Sequence, residues 1–118
     1  MTESEILAAL SDGPKTITDL AGGSRAYSVR QPIREAIDAM LADGRIRHIG
    51  LGRSRCFVAA GWRVTDAWFV RYVGLRMRRE GAHWVWTGNW DYWNRAVLQI
   101  DGGRYDVRRE LYRIRTGK

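Results

Sequence analysis

Arginine carries most of the chemistry available to this sequence. Of 20 basic residues, 18 are Arg; only Lys15 and Lys118 are Lys. A guanidinium is planar, permanently protonated and forked, so it grips phosphate through paired N–H donors. The acidic residues number 13, leaving a formal net charge of +7. Six Trp add flat faces on which bases can stack. The residues that catalysis needs are scarce. His48, Cys56 and His83 are the only soft ligands, and they lack the C-x-x-C or H-x-x-x-H spacing of a metal site. His48 and Cys56 are expected to face each other across a hairpin as packing residues. Cys56 has no neighbouring base and lies in a strand-like run, so it reads as a buried, inert thiol. No phosphate-binding Gly-rich loop is present: Gly22-Gly23 and Gly102-Gly103 read as turns. Asp101 fits a turn and Asp106 a helix N-terminus, so each has a structural reason to be acidic. No catalytic residue, metal or cofactor is expected.

The chain has 118 residues, 45% of them apolar. That excludes a disordered polymer, a TIM barrel and a two-domain dehydrogenase. No apolar run approaches the length of a membrane span. Met1-Thr-Glu-Ser-Glu is acidic and does not resemble a signal peptide. A single Cys fits a reducing compartment, so a cytoplasmic location is expected.

The charge is unevenly placed. Residues 1–60 hold eight basic and seven acidic side chains; residues 61–118 hold twelve and six, together with all six Trp. This shift predicts two modules, 1–60 and 61–118, meeting near Gly61. A pI near 10.3 with an Arg-dominated surface points to nucleic acid as the partner.

In the first module, Ile6, Leu7 and Leu10 predict a helix over Ser4–Leu10, ended by Ser11-Asp-Gly-Pro. Thr16 with Asp19 three residues on resembles a capping box for a short second helix, 16–21. A third helix runs from Ser28 or Pro32 to Ala42, with Ile33, Ile37, Met40 and Leu41 at i, i+4, i+7 and i+8. Two strand-like runs, 45–49 and 55–59, then flank a Gly-containing tip, Gly50-Leu-Gly-Arg-Ser. Three helices followed by a hairpin resemble a bacterial winged helix-turn-helix domain. That resemblance implies a third helix lying in the major groove and a wing on the backbone. Ser28, Arg30, Gln31 and Arg34 would then face bases, since Arg reads guanine edges and Gln adenine edges. Arg30 and Arg34 are expected on a face opposite Ile33 and Ile37. Arg25 and Tyr27 before the helix, and Arg53 and Arg55 at the wing, would reach phosphates.

In the second module, Thr65 to about Arg79 reads as a helix with Val64, Trp68, Tyr72 and Leu75 on one stripe. Arg76, Arg78 and Arg79 would crowd its C-terminal end, and its apolar faces could form a homodimer seam. A strand from His83 to Thr87 follows, with one of Trp84 and Trp86 facing inward. Then come an aromatic loop, Asn89-Trp-Asp-Tyr-Trp-Asn, a second strand over 95–100, an Asp101-Gly turn and a basic helix over 106–115. The order is α-β-β-α. Trp84-x-Trp86-Thr87-Gly88, followed by a strand, an Asp-Gly turn and Arg109-x-x-Tyr112, resembles phage-type HNH endonucleases. The departures from that family are specific. Its Cys falls at His83, its water-activating His falls at Arg108, and the part supplying further metal ligands is expected to be missing. Arg cannot act as a base, so the resemblance implies a degenerate ββα scaffold that holds DNA without cutting it.

The expected fold class is therefore α+β: a winged helix followed by a small HNH-like module. The expected function is double-stranded DNA binding by a phage or bacterial transcription regulator in the cytoplasm of a bacterial cell. Its C-terminal contacts would be Trp90, Trp93, Arg95, Arg104, Arg108, Arg109 and Arg113, with Trp90 and Trp93 able to stack on bases. Two alternatives stay open. One is a metal-dependent nicking nuclease using His83 as a replacement base; the other is a phage protein that binds and modulates a host protein.

Overall fold

Thr2 opens the first helix by exchanging hydrogen bonds with Glu5. The Glu5 N–H donates to the Thr2 hydroxyl at 3.2 Å and the Thr2 N–H to the Glu5 carboxylate at 3.0 Å, so two end donors are satisfied reciprocally. The same device starts the second helix, between Thr16 and Asp19. In the computed structural model, which describes residues 1–117, the chain is α+β and divides into two units, Met1–Trp62 and Arg63–Lys118. Among the described residues, no helix is long and apolar enough to cross a membrane.

The first unit contains α1 (Glu3–Leu10), α2 (Ile17–Leu20), α3 (Tyr27–Ala42), β1 (Ile46–Leu51) and β2 (Ser54–Ala59). Helical spacing puts Ile33, Ile37 and Met40 on one face of α3, and all three are buried. They form a core with Ile6 and Leu10 of α1, Leu20 of α2, Ile46 of β1 and Phe57 of β2. β1 and β2 pair antiparallel out to Leu51 and Ser54. The tip is therefore a two-residue turn, Gly52-Arg53, rather than the expected five residues. Gly52 has φ 60°, the positive value that a two-residue hairpin turn demands. Lys15, between α1 and α2, exchanges backbone hydrogen bonds with Phe57 and adds a rung to β2.

Three expectations in this unit need correction. α3 begins at Tyr27, so Pro32 lies in its second turn instead of starting it. Cys56 stands opposite Ile49, and His48 opposite Phe57 with ring centroids 4.9 Å apart; adjacent rungs alternate faces, so His48 and Cys56 do not meet. Arg30 does not lie opposite the core. It precedes Ile33 by three residues and Ile37 by seven, which places it on the same side of the helix. It is half-buried, and its Nε is shielded with no partner among the described residues.

The second unit has the order α4 (Asp66–Gly74), β3 (Met77–Glu80), β4 (His83–Trp86), β5 (Val97–Ile100), β6 (Gly103–Asp106) and α5 (Val107–Thr116). The expected α-β-β-α is thus α-β-β-β-β-α. The helix expected to reach Arg79 stops at Gly74, and 77–80 pairs with 83–86 through a two-residue turn, Gly81-Ala82. Arg78 and Arg79 therefore lie on a strand, not at a helix C-terminus. The buried stripe of α4 is Trp68, Phe69 and Val73, while Leu75 is exposed. The helix along which a homodimer seam was expected, 65–79, is shorter, Asp66–Gly74. β6 was expected as a turn and helix start. Instead, Asp101 and Gly102, with φ 51° and 80°, form a turn that joins Ile100 to Gly103. Positive φ at both central residues is the hairpin geometry that Asp-Gly favours. Asp106 caps α5 by accepting from the Arg109 N–H at 3.0 Å. Trp86 is buried and Trp84 exposed, as alternation along β4 requires.

Candidate nucleic-acid interface

In the first unit, the candidate residues cluster at the start of α3 and at the β1–β2 turn. Arg25, Tyr27, Ser28 and Arg34 are exposed, as are Arg53 and Arg55. Gln31 is half-buried and donates to the Glu35 carboxylate at 3.2 Å. Ala26 stands at the N-cap of α3 and offers no side-chain acceptor. The other four helices are capped by Thr2, Thr16, Thr65 and Asp106. The first turn of α3 thus lacks a side-chain cap and lies beside exposed hydroxyl and guanidinium groups, the arrangement that suits an oxygen anion.

In the second unit, the organising residue is Asp91. Its side chain is only 7% exposed. One carboxylate oxygen accepts from the backbone N–H groups of Trp93 at 2.9 Å and Arg95 at 2.8 Å. The other accepts from the guanidinium groups of Arg95 at 3.1 Å and Arg104 at 2.7 Å. The Arg95 N–H first, then the Trp93 N–H and the Arg95 guanidinium, hold its carboxyl below the usual aspartate value. Asn94 completes the loop at φ 58°, a region Asn tolerates better than most residues. Trp90 pairs through its backbone with Ala96 and closes the loop's base.

This network turns aromatic rings outward. Tyr92 is 89% exposed and Trp93 70%, with their rings edge to face at 5.0 Å. Both line a groove of about 810 Å³ whose far side is α5, through Arg109, Tyr112 and Arg113. The expected contacts Trp93, Arg95, Arg104, Arg109 and Arg113 all meet here. Most of the positive charge in the groove is already matched. Arg95 and Arg104 engage Asp91, and Arg113 engages Asp66 and Glu110, each at 2.9 Å. Arg109 alone among the lining cations has no ion pair among the described residues.

Trp90 and Arg108 lie elsewhere. They line a second groove of about 550 Å³ with Trp84, Trp86 and Leu111. Arg108, Arg109, Tyr112 and Arg115 together form an exposed row on α5. None of these three arginines has an ion pair among the described residues. His83 is exposed at the β3–β4 turn, across from Glu80. No group of three His, Cys, Asp or Glu is gathered where it could hold a metal among the described residues.

Two exposed rings beside these grooves, Trp84 and Tyr112, were not among the expected contacts, whereas Tyr92 was expected to stack with Trp90 and Trp93. The signal for Tyr112 was present, because it falls four residues after Arg108 and three after Arg109 on the basic helix face. The exposed side of Trp84 follows from β4 alternation only once Trp86 is known to be the inward residue. Arg79 approaches the Trp84 ring at 5.9 Å, a contact that depends on the unforeseen β3–β4 pairing.

The chain matches no family model, no curated protein and no solved structure.

Proposed function

We propose that this chain binds double-stranded DNA. α3 enters the major groove and reads bases through Ser28, Gln31 and Arg34, while Arg25, Tyr27, Arg53 and Arg55 meet the backbone. In the second unit the outward face of α5 lies along phosphates. The observation that carries this reading is the row Arg108, Arg109 and Arg115: exposed, on one helix, and without ion-pair partners among the described residues. A row of unpaired guanidiniums creates a local positive field that attracts a phosphate backbone.

The order of three helices and a hairpin, with Lys15 adding a rung to β2, supports a winged-helix role for the first unit. The uncapped start of α3 gives a phosphate a place to satisfy the free N–H groups. The pairing of β5 and β6 leading directly into α5 supports the reading of the second unit as an HNH-derived scaffold. Arg108 stands where that family keeps its base, so the reading is of a binder rather than a nuclease, acting as a transcription regulator in a bacterial cytoplasm.

Fluorescence polarisation of a labelled random-sequence duplex at increasing salt tests the reading. Log K is expected to fall linearly with log salt, by about 0.9 for each phosphate neutralised. Arg108→Ala, Arg109→Ala and Arg115→Ala should each flatten that slope by about one contact. Absence of binding at low salt would overturn it.

A further inference from the structure

We propose that the groove between the Tyr92–Trp93 loop and α5 receives an unpaired DNA base. The inference rests on the DNA-binding reading and adds a ligand that a duplex reader does not need: an extrahelical or single-stranded nucleotide.

The loop is built to hold its rings out. Burying Tyr92 and Trp93 would remove large apolar faces from water. Instead, the Asp91 carboxylate fixes the Trp93 and Arg95 N–H groups and the Arg104 guanidinium, and Asn94 adopts a left-handed backbone. A loop backbone fixed before binding loses little freedom when a base stacks on its rings. Tyr112, 56% exposed, supplies an aromatic face from the helix side of the same groove.

The charge of the groove selects the ligand. A duplex backbone offers a track of phosphates and calls for several free cations. Here Arg95, Arg104 and Arg113 are committed to carboxylates, and only Arg109 remains unpaired among the described residues. One free guanidinium matches one phosphate. Asp106 and Glu110 add acceptor oxygens to the lining, which suit an exocyclic amino group. Aromatic faces, one free cation and nearby acceptors together describe a single nucleotide. A volume of about 810 Å³ lies within the range of small-ligand sites.

The test uses the full chain with two DNA duplexes, one fully paired and one with a single bulged 2-aminopurine. Stacking is expected to quench the 2-aminopurine emission, and the bulged duplex should bind more tightly. Trp93→Ala should weaken bulged binding by roughly 5- to 100-fold while leaving paired binding unchanged, Tyr112→Ala should weaken bulged binding more than paired binding, and Trp93→Phe should retain the quench. Equal binding of both duplexes, insensitive to Trp93→Ala, would overturn the groove's role and leave duplex binding standing. A Trp93→Ala variant that weakens both alike would also overturn it, because the ring would then act on paired DNA. If neither duplex binds at low salt, both readings fall together.

Discussion

The Arg104 guanidinium donates to the Asp91 carboxylate at 2.7 Å, although the two residues lie thirteen positions apart. That bond ties β6 to the loop before β5. It converts two residues expected to meet phosphates, Arg95 and Arg104, into partners of an acid. The same acid holds the backbone N–H of Trp93 at 2.9 Å. The basic character of the second unit is therefore partly spent inside the protein, and the cations left for a ligand are fewer than composition implies.

Asp91→Ala separates charge from architecture. The substitution removes an acid and raises the net charge, which by itself strengthens DNA binding. It also releases the Trp93 and Arg95 N–H groups and both guanidiniums. Weaker binding of the bulged duplex and a lower Tm are expected. Tighter binding would show that the loop's geometry is irrelevant.

The same carboxylate gives the loop a pH dependence. Its pKa is depressed in the folded protein, so its contribution is fully present above the ordinary aspartate range. That contribution is lost as pH falls through the depressed value. The amide resonances of Trp93 and Arg95 should titrate together, with a midpoint below the ordinary 3.8. A midpoint at or above that value would mean that the carboxylate does not hold these N–H groups.

The proposed function places base reading and phosphate gripping on different helices. Arg34→Ala should lower the preference for selected over random duplex, because it removes a base-edge contact worth about 1–3 kcal/mol. Arg30→Ala should alter preference less and stability more, since Arg30 is half-buried beside the core. Arg109→Ala should weaken every sequence alike. Selection from random duplexes, run on each variant, distinguishes these outcomes.

Gly88 has no room for a side chain. A Cβ there would run into the Trp86 indole, which is 4% exposed and donates its N–H to the Asn89 carbonyl at 2.9 Å. Gly88→Ala should cost about 1–3 kcal/mol by forcing the ring to move. An unchanged thermal midpoint would show that the indole has another place to sit.

The end of α4 can be checked by a pair of substitutions. Phe69 is buried and packs on Tyr105 with ring centroids 5.9 Å apart, so Phe69→Ala should cost about 3–5 kcal/mol. Leu75, apolar but beyond the last helical turn and exposed, should tolerate Ser within about 0.5 kcal/mol. Comparable losses at both sites would favour a helix continuing past Gly74.

Local chemistry was legible where it was self-contained. The reciprocal caps of Thr2 and Thr16 need only residues three apart. The Ile33–Ile37–Met40 stripe needs only the helical period. Glycine or Asp-Gly punctuation marks the turns at 52, 81 and 102, and an Asp-Gly pair is also the signal of the hairpin that contains β6. What misled was propensity: Arg78, Arg79 and Glu80 favour helices, yet they pair with His83–Val85 because a two-residue turn brings a strand alongside. Cross-strand partners are supplied by the fold, so they override a preference worth only tenths of a kcal/mol per residue.

The sequence by itself determined the inventory: an Arg-rich, Trp-rich chain with its charge and rings in the second half, no ligand spacing for a metal, and an α+β pattern of elements. Tertiary structure alone decided which of those groups are free. Asp91, Asp66 and Glu110 reach arginines that are remote in sequence or on an adjacent turn, and they neutralise Arg95, Arg104 and Arg113 while leaving Arg108, Arg109 and Arg115 outward. Charge is a property of residues, but its availability depends on distances between side chains, and those distances exist only after the chain has folded.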